Sequence, residues 1–256
     1  GLGHQLLHGA AVHGLHGGVA SRMAPLLPTA DAVSTPVIDA DGRLVNEPAG
    51  PPAAVLLLAH GAGAPMDSPF MAAMAEGLAA CGWRVVRFEF PYMARRRQDG
   101  TRPAPDRLPK LEQAFRDQLL REASQHASGL PLCIGGKSMG GRVASLVADD
   151  LANGLNLRAC LCLGYPFHPP GKPEPLRIEH LQRQRTATLI LQGERDAFGR
   201  RAEVEAYGLA PSVQLAWIPS GDHSFKPTRS SGRSDADNWA LAVDHSDDFC
   251  CRLLLG

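Results

Sequence analysis

The sequence lacks three features that would assign it to a class at once. No run of about 18 apolar residues is present, so no membrane-spanning helix is predicted. Lysine and arginine total 26, as do aspartate and glutamate; a net charge of zero gives no sign of a nucleic-acid or membrane partner. No internal repeat follows the N-terminal tail. With 44% hydrophobic residues in 256, the composition predicts an ordinary soluble globular protein.

The six cysteines do not have the spacing of a disulfide framework in a small secreted domain. Three of them lie inside apolar, strand-like runs, where a thiol acts as a small hydrophobic group: Cys133, Cys160 and Cys162. We therefore expect a reducing compartment and a cytoplasmic location.

Residues 1–22 are rich in glycine, histidine and alanine. The histidines could share one helical face, but no cysteine or carboxylate accompanies them, so a metal site is not favoured. The segment also lacks the charged start and apolar core of a signal peptide. We expect residues 1–22 to be a disordered or non-native extension, Met23 to be the candidate start, and residues 23–256 to form a single domain.

Apolar runs and helix-like runs alternate along the rest of the chain. Strands are predicted at 53–59, 83–90, 132–134, 157–163, 187–192 and 213–218, after a hairpin within 33–45. Helices are predicted at 68–80, 111–126, 143–151 and 235–254, and a long loop at 91–110. This order predicts an α/β fold with a doubly wound, mostly parallel sheet and helices on both faces. Only residues 164–186 separate two strands, which leaves room for a loop and a short helix but no large lid domain.

The segment Gly136-Lys137-Ser138-Met139-Gly140 lies between a predicted strand and a predicted helix. Gly-x-Ser-x-Gly in this setting is the nucleophile elbow of α/β-hydrolases, and its small residues let strand and helix approach closely. A phosphate-binding loop ending in Gly-Lys-Ser would need a glycine five residues before Gly136, where Pro131 stands. No dinucleotide-binding fingerprint follows an early strand either.

A serine nucleophile needs a base, oriented by an acid, and in this fold the chain order is serine, then the acid, then the histidine base. Asp196 follows the strand 187–192 and His223 follows the strand 213–218, so both are expected at the carboxyl edge of the sheet beside Ser138. Glu194 is an alternative acid, less favoured because a Gly-x-x-Asp turn points to Asp196. The alternatives to His223 as base are His126, His168, His180 and His245, of which His168 is expected to line the site.

A glycine-rich turn, His60-Gly61-Ala62-Gly63, follows the first long apolar strand. Such a turn supplies one backbone N–H to an oxyanion hole, and the residue after the nucleophile supplies the other. We predict the N–H groups of Met139 and Ala62, with Gly61 or Gly63 as alternatives to Ala62. The His60 ring is expected to bind loop backbone.

Several segments together resemble the KANSL/Tex-type family of α/β-hydrolase-like proteins, which includes chromatin-associated complex subunits, testis-expressed proteins and many bacterial predicted hydrolases. They are 58–64, 87–93, 135–142, 164–172 and 221–226. The chain is also similar, more distantly, to dienelactone-hydrolase-like enzymes. The resemblance implies the α/β-hydrolase fold and a triad of Ser138, Asp196 and His223, but no substrate. Because some relatives are complex subunits, a non-catalytic interaction protein is the alternative to an enzyme.

Basic residues flank the predicted site. Arg95 and Arg96 follow the strand that ends near the catalytic edge, and Lys137 adjoins the nucleophile. Together with His168 they are candidates to bind an anionic group of the substrate. The slightly favoured alternative is that the arginines face solvent or pair with Glu89, Asp99 and Asp106. The leading hypothesis is thus a serine hydrolase that cleaves a small acyl ester or thioester, without metal or organic cofactor.

Overall fold

The computed structural model describes residues 35–125 and 129–255. Within these ranges the chain forms eight strands: β1 (Val37–Ile38), β2 (Leu44–Asn46), β3 (Ala54–Ala59), β4 (Trp83–Phe88), β5 (Leu132–Lys137), β6 (Leu157–Leu163), β7 (Thr188–Gly193) and β8 (Val213–Ile218). They make one sheet in the order β1-β2-β4-β3-β5-β6-β7-β8. The first two strands pair antiparallel, β2 is antiparallel to β4, and all other pairs are parallel. The predicted doubly wound, mostly parallel sheet is confirmed.

Helices cover both faces of this sheet. They are α1 (Pro69–Ala80), α2 (Pro91–Asp99), α3 (Leu108–Gln125), α4 (Met139–Ala152), α5 (Arg201–Val204) and α6 (Asp235–Leu255). Apolar side chains of α3 and α4 pack in one core with Val55 and Leu57 of β3. Those of α1 and α6 pack in a second core with Leu56 and Leu58. Because successive side chains of a strand point to opposite faces, an unbroken apolar strand such as β3 is buried on both sides.

The order of the strands fixes where a site can form. From β3 the chain crosses to β4 on one side and later to β5 on the other. The crossovers therefore diverge between β3 and β5, which opens a crevice outside their carboxyl ends. The turn after Ala59 and the nucleophile segment after Lys137 are the two loops that border this crevice.

The prediction of a long loop at 91–110 was wrong. The strand β4 stops at Phe88, and residues 91–99 form helix α2, while α3 begins at Leu108 rather than at 111. Proline is tolerated in the first helical turn because its missing N–H has no partner there, so Pro91 starts a helix instead of only ending a strand. Gly100, at φ +72°, ends it in the left-handed region.

The segment between β6 and β7, predicted to hold no more than a loop and a short helix, forms no helix in the described chain. Residues 164–187 contain turns only, the most helix-like being one turn in which the Gln182 N–H donates to the Ile178 carbonyl. Five prolines in this segment remove the N–H groups that a helix would use. The predicted extension at 1–22 and His126 lie outside the described residues. None of the described helices is long and apolar enough to cross a membrane.

Candidate active site

Ser138 lies at the tip of the turn between β5 and α4, with φ +51° and ψ −115°. A non-glycine residue in the left-handed region is strained by about 1–3 kcal/mol and persists only where its surroundings enforce it. Here they do so by close packing. A Cβ on Gly136 would lie 2.4 Å from the Gly140 backbone, and one on Gly140 would lie 2.5 Å from the His60 carbonyl oxygen. The small residues of the motif therefore allow β3, β5 and α4 to meet beneath Ser138.

Three polar side chains from the carboxyl ends of three strands form a continuous hydrogen-bonded chain. The Ser138 Oγ lies 2.8 Å from His223 Nε2. On the other side of the ring, His223 Nδ1 lies 2.8 Å from Asp196 Oδ2. Because a carboxylate oxygen accepts, Nδ1 carries the ring proton and donates a hydrogen bond to Asp196. Nε2 is then left with a lone pair facing the serine hydroxyl.

Asp196 is completely buried and is held from three directions. Besides His223, its Oδ2 accepts from the Gln192 amide at 3.0 Å, and its Oδ1 accepts from the Phe198 N–H at 2.8 Å. The Phe198 ring stacks on the His223 imidazole with centroids 4.1 Å apart. The carboxylate and the aromatic ring together fix the orientation of the imidazole.

The protonation of His223 is set by burial. Burial lowers the pKa of His223 below its ordinary value of 6.5; the Asp196 hydrogen bond opposes this shift, and the Lys137 cation adds to it. The imidazole is consequently neutral at pH 7. A neutral ring with a free Nε2 lone pair can accept the proton of the Ser138 hydroxyl.

The turn after β3 is fixed by two aromatic side chains. The Phe90 N–H donates to His60 Nε2, so His60 carries its proton on Nδ1 and donates to the Gly61 carbonyl at 2.6 Å. The Tyr92 hydroxyl donates to the Ala62 carbonyl at 2.8 Å. The expected backbone role of the His60 ring is thus observed. Burial lowers the pKa of His60, which keeps this ring neutral.

The two predicted oxyanion donors belong to segments that adjoin Ser138. Met139 is the first residue of α4, where backbone N–H groups have no partner within the helix. Ala62 lines the cavity that contains Ser138. A Cβ on the preceding Gly61 would lie 3.6 Å from the Ser138 Cβ, so the turn comes directly against the nucleophile segment.

A cavity of about 360 Å³ opens at Ser138 and His223. Its walls are mostly apolar and come from the turn after β3, from the start of α1 and from the loop after β7. The lining side chains away from the Ser138–His223 pair include Ala62, Ala64, Pro69, Phe70, Met71 and Phe198. Within the part of the chain described, Lys137 is the one cationic residue of this lining.

The Lys137 ammonium points inward. It donates a hydrogen bond to the main-chain carbonyl of His223 and lies 5.4 Å from the centroid of the Phe70 ring. Burial lowers the pKa of Lys137 to about 8, while Asp196 and Asp222 oppose the shift. Lys137, which was predicted to bind an anionic group of the substrate, therefore already donates a hydrogen bond to the loop that carries His223.

The other three predicted substrate-binding residues do not line the Ser138 cavity. Arg95 is bonded to Asp106 at 3.1 Å, and Arg96 lines a separate depression on α2. His168 is buried, its Nδ1 2.8 Å from the Pro169 carbonyl and its Nε2 3.6 Å from Glu203. Both arginines lie on helix α2, which the sequence prediction missed, and this helix places them outside the Ser138 cavity.

The alternative acids and bases lie elsewhere. Glu194 accepts from the Ser220 N–H and pairs with Arg201. His180 Nε2 does contact a serine, Ser145, at 2.9 Å. That serine donates its own proton to the Arg142 carbonyl, so His180 must donate to it and has no lone pair on that nitrogen for a base. His245 lies on α6.

Sequence reasoning missed three residues that hold the site in place. Gln192, at the end of β7, also donates to the Tyr165 and Gly199 carbonyls and so anchors the loop of Asp196. Phe198 covers His223, and Tyr92 fixes the turn of Ala62. The sequence could have indicated Gln192, because it is a polar residue at the end of an otherwise apolar strand. The other two depend on contacts between loops that no local pattern records.

Comparison with known proteins adds the family. The model of the alpha/beta hydrolase domain matches residues 52–251. A serine hydrolase homologue from Coxiella burnetii is 19% identical over 79% of this chain and 90% of its own, with a TM-score of 0.61. A serine hydrolase without a lid from Xanthomonas campestris is 20% identical over 87% and 95%, with a TM-score of 0.56.

A dienelactone hydrolase from Anabaena variabilis is 20% identical over 82% of this chain and 91% of its own, with a TM-score of 0.61. At such identities these structures establish a shared fold, which is the predicted α/β-hydrolase fold. The narrower resemblance to KANSL/Tex-type proteins stays a prediction. The match over 52–251 covers most of the sequence, and the chain therefore belongs to the alpha/beta hydrolase domain family.

Proposed function

We propose that this protein is a serine hydrolase that cleaves an acyl ester or thioester of a small molecule, with Ser138 as nucleophile. The observation that carries the proposal is the hydrogen-bonded chain from Ser138 through His223 to Asp196, with 2.8 Å at each step. Its serine end faces a cavity and its acid end is buried. A nucleophile, a base and a group that orients the base are the parts that acyl transfer requires.

In the first half of the reaction, Ser138 Oγ attacks the acyl carbonyl carbon while His223 Nε2 takes the hydroxyl proton. The carbonyl π electrons move to the oxygen, which becomes an oxyanion. When the tetrahedral intermediate collapses, the bond to the leaving oxygen or sulfur breaks and His223 returns the proton to that atom. Asp196 stabilises the imidazolium formed between these two steps and holds the ring in one tautomer.

The second half repeats these steps with water. His223 takes a proton from the water that attacks the acyl-enzyme, and the Ser138 oxygen leaves with that proton. In both halves the developing oxyanion is stabilised by the backbone N–H groups of Met139 and Ala62. These donors belong to a helix start and a turn fixed by Tyr92, so little reorganisation accompanies the reaction.

The cavity supports a small, uncharged acyl group. Its volume of about 360 Å³ and its apolar walls, among them Phe70, Met71 and Phe198, favour burial of hydrocarbon over that of a charged group. The anionic substrate considered from sequence loses its main support because Arg95 and Arg96 lie outside this cavity. No step of the proposed mechanism requires a metal or an organic cofactor.

A fluorophosphonate probe tests the assignment of the nucleophile. We expect covalent labelling of the wild type, a modified peptide that contains Ser138, and no labelling of Ser138→Ala. Ser145→Ala is the matched control because Ser145 also contacts a histidine, His180, but lies inside α4. It should be labelled at the wild-type rate.

Hydrolysis of p-nitrophenyl acetate and of longer uncharged esters by the same variants tests turnover. Equal labelling of the wild type and Ser138→Ala would overturn the proposal. Absence of both labelling and turnover in the wild type would favour a non-catalytic interaction protein that keeps the fold.

A further inference from the structure

A second cavity, of about 390 Å³, lies between α4 and the segment that follows β6. It shares no lining residue with the cavity at Ser138. We call it the arginine cavity after three of its residues; the side chains that matter here are Arg142, Leu146, Leu176, Arg177, His180 and Arg183.

Among the described residues, two of the three guanidinium groups have no acidic partner. Arg183 pairs with Glu179 at 2.6 Å on the exposed rim. Across residues 35–125 and 129–255, no carboxylate comes within ion-pairing distance of Arg142 or Arg177. The cavity therefore holds a local excess of two positive charges.

The hydrogen-bonding capacity of these groups is also unused. The Nε of Arg142 is buried and finds no acceptor in the described chain. Within the ranges that the structure describes, the Arg177 guanidinium reaches only the Pro166 carbonyl, with a long contact of 3.4 Å from Nη1. Buried N–H groups almost always have an acceptor, so an unsatisfied guanidinium nitrogen beside a cavity needs an explanation.

The backbone that carries these arginines is held firmly. The Arg177 N–H donates to the Phe167 carbonyl at 2.8 Å, and the Tyr165 hydroxyl donates to the Arg177 carbonyl at 2.8 Å. Arg142 lies in the first turns of α4, where its N–H donates to the Ser138 carbonyl at 3.0 Å. The backbone positions of both arginines are therefore fixed, which limits the entropic cost of binding to the ordering of the two side chains.

The charge of Arg142 acts on two neighbouring groups of this cavity. Burial lowers the pKa of Arg177 below its ordinary value, and the charge of Arg142 lowers it further. The pKa of His180 falls to about 4, again through burial and then through Arg142. An anion in the cavity would offset the repulsion that comes from the Arg142 charge.

We propose that the arginine cavity binds the phosphate group of a small phosphorylated ligand. A phosphate monoester carries about −1.5 to −2 charges at pH 7, which matches the two unpaired guanidinium groups, whereas a carboxylate supplies one charge. Arginine forks bind phosphate oxygens in pairs. The cavity is far larger than a phosphate ion, and Leu146 and Leu176 offer apolar walls for an organic part. The site stands independently of the function proposed for Ser138.

Calorimetric titration at low ionic strength tests this site, with inorganic phosphate, glycerol phosphate and acetate as ligands. The wild type should bind both phosphates saturably, the ester at least as tightly as the free ion, and acetate at least tenfold more weakly. Arg142→Gln and Arg177→Gln should each weaken phosphate binding by about tenfold or more, as expected for loss of hydrogen bonds to a charged group. Arg177→Lys should give an intermediate loss because it keeps the charge without the fork.

Two variants serve as controls. Arg116→Gln removes one positive charge from α3, outside the cavity, and Ser138→Ala removes the proposed nucleophile; both should bind phosphate like the wild type. The proposal would be overturned if the wild type showed no saturable phosphate binding, or if it bound acetate more tightly than phosphate. It would also be overturned if the wild type did not bind glycerol phosphate, or if phosphate binding were unchanged in both Arg142→Gln and Arg177→Gln. If urea unfolding shows that Arg142→Gln does not fold, the two Arg177 variants decide, since that side chain is only half buried and lies in a loop.

Discussion

Replacing Asp196 by asparagine should nearly abolish turnover without unfolding the protein. Asparagine has the same shape as aspartate but carries an N–H₂ group on one side. In the native site Oδ2 accepts from both His223 Nδ1 and the Gln192 amide, while Oδ1 accepts from the Phe198 N–H. Every partner of this carboxylate is therefore a donor, and either orientation of the new amide places donor against donor.

The orientation of the amide decides what happens to the base. If its nitrogen faces His223, the imidazole moves its proton from Nδ1 to Nε2, and Nε2 then donates to Ser138 and cannot take its proton. If its nitrogen faces Phe198 instead, a buried backbone N–H loses its acceptor. The first arrangement is the wrong-tautomer case, for which a drop of about 10⁴ in kcat is typical. That corresponds to about 5.5 kcal/mol of transition-state stabilisation.

The assay is kcat for p-nitrophenyl acetate together with the rate of fluorophosphonate labelling, since both require an activated Ser138. Glu194→Gln is the matched control: Glu194 is two residues away, and its carboxylate binds Ser220 and Arg201. It should retain wild-type kcat within a few-fold. The Asp196 bond raises the pKa of His223, so the residual activity of Asp196→Asn should extend to lower pH. Retention of activity in Asp196→Asn, or an equal loss in Glu194→Gln, would refute the assignment of the acid.

Two further predictions concern the surroundings of the triad. The Lys137 cation lowers the pKa of His223, so Lys137→Met should raise that pKa and move the acidic limb of the kcat/KM profile to higher pH. The control Arg95→Gln should leave the profile unchanged. A shift of the Lys137→Met profile to lower pH would contradict the reasoning. Gly140→Ala places a Cβ 2.5 Å from a backbone oxygen and should lower the free energy of unfolding by about 1–3 kcal/mol in urea. Gly154→Ala meets nothing within 4 Å, so an equal loss there would argue against close packing as the cause.

The parts of the site that follow from strand order could be predicted from the sequence. Ser138, Asp196 and His223 each stand shortly after an apolar run that forms a parallel strand, and parallel strands bring their carboxyl ends to one edge. Their meeting depends on backbone topology rather than on any one side-chain conformation. The role of the glycines in the nucleophile segment could be predicted as well, because the close approach of backbones leaves no room for a Cβ.

The parts that depend on side-chain direction could not be predicted. Residues 91–100 are rich in basic side chains and begin with proline, a pattern that predicts a loop. The helix forms because Tyr92 and Met93 are buried in the apolar core beside the sheet, and the local sequence does not show that contact. Once α2 forms, Arg97 pairs with Glu89 and with Asp67, a residue from another loop. Such long-range partners decide whether an arginine serves a ligand or the fold, and no local pattern contains them.

Lys137 shows how the nucleophile segment and the base are coupled. It is the last residue of β5, next to Ser138, and its ammonium bonds the carbonyl of His223. Gly164, the residue after β6, leaves the space: a Cβ there would lie 2.6 Å from the His223 carbonyl oxygen and 2.9 Å from Lys137 Nζ. The lysine therefore links the strand of the nucleophile to the loop of the base, and its charge favours the neutral imidazole. One side chain thus contributes both to the position of His223 and to its readiness to accept a proton.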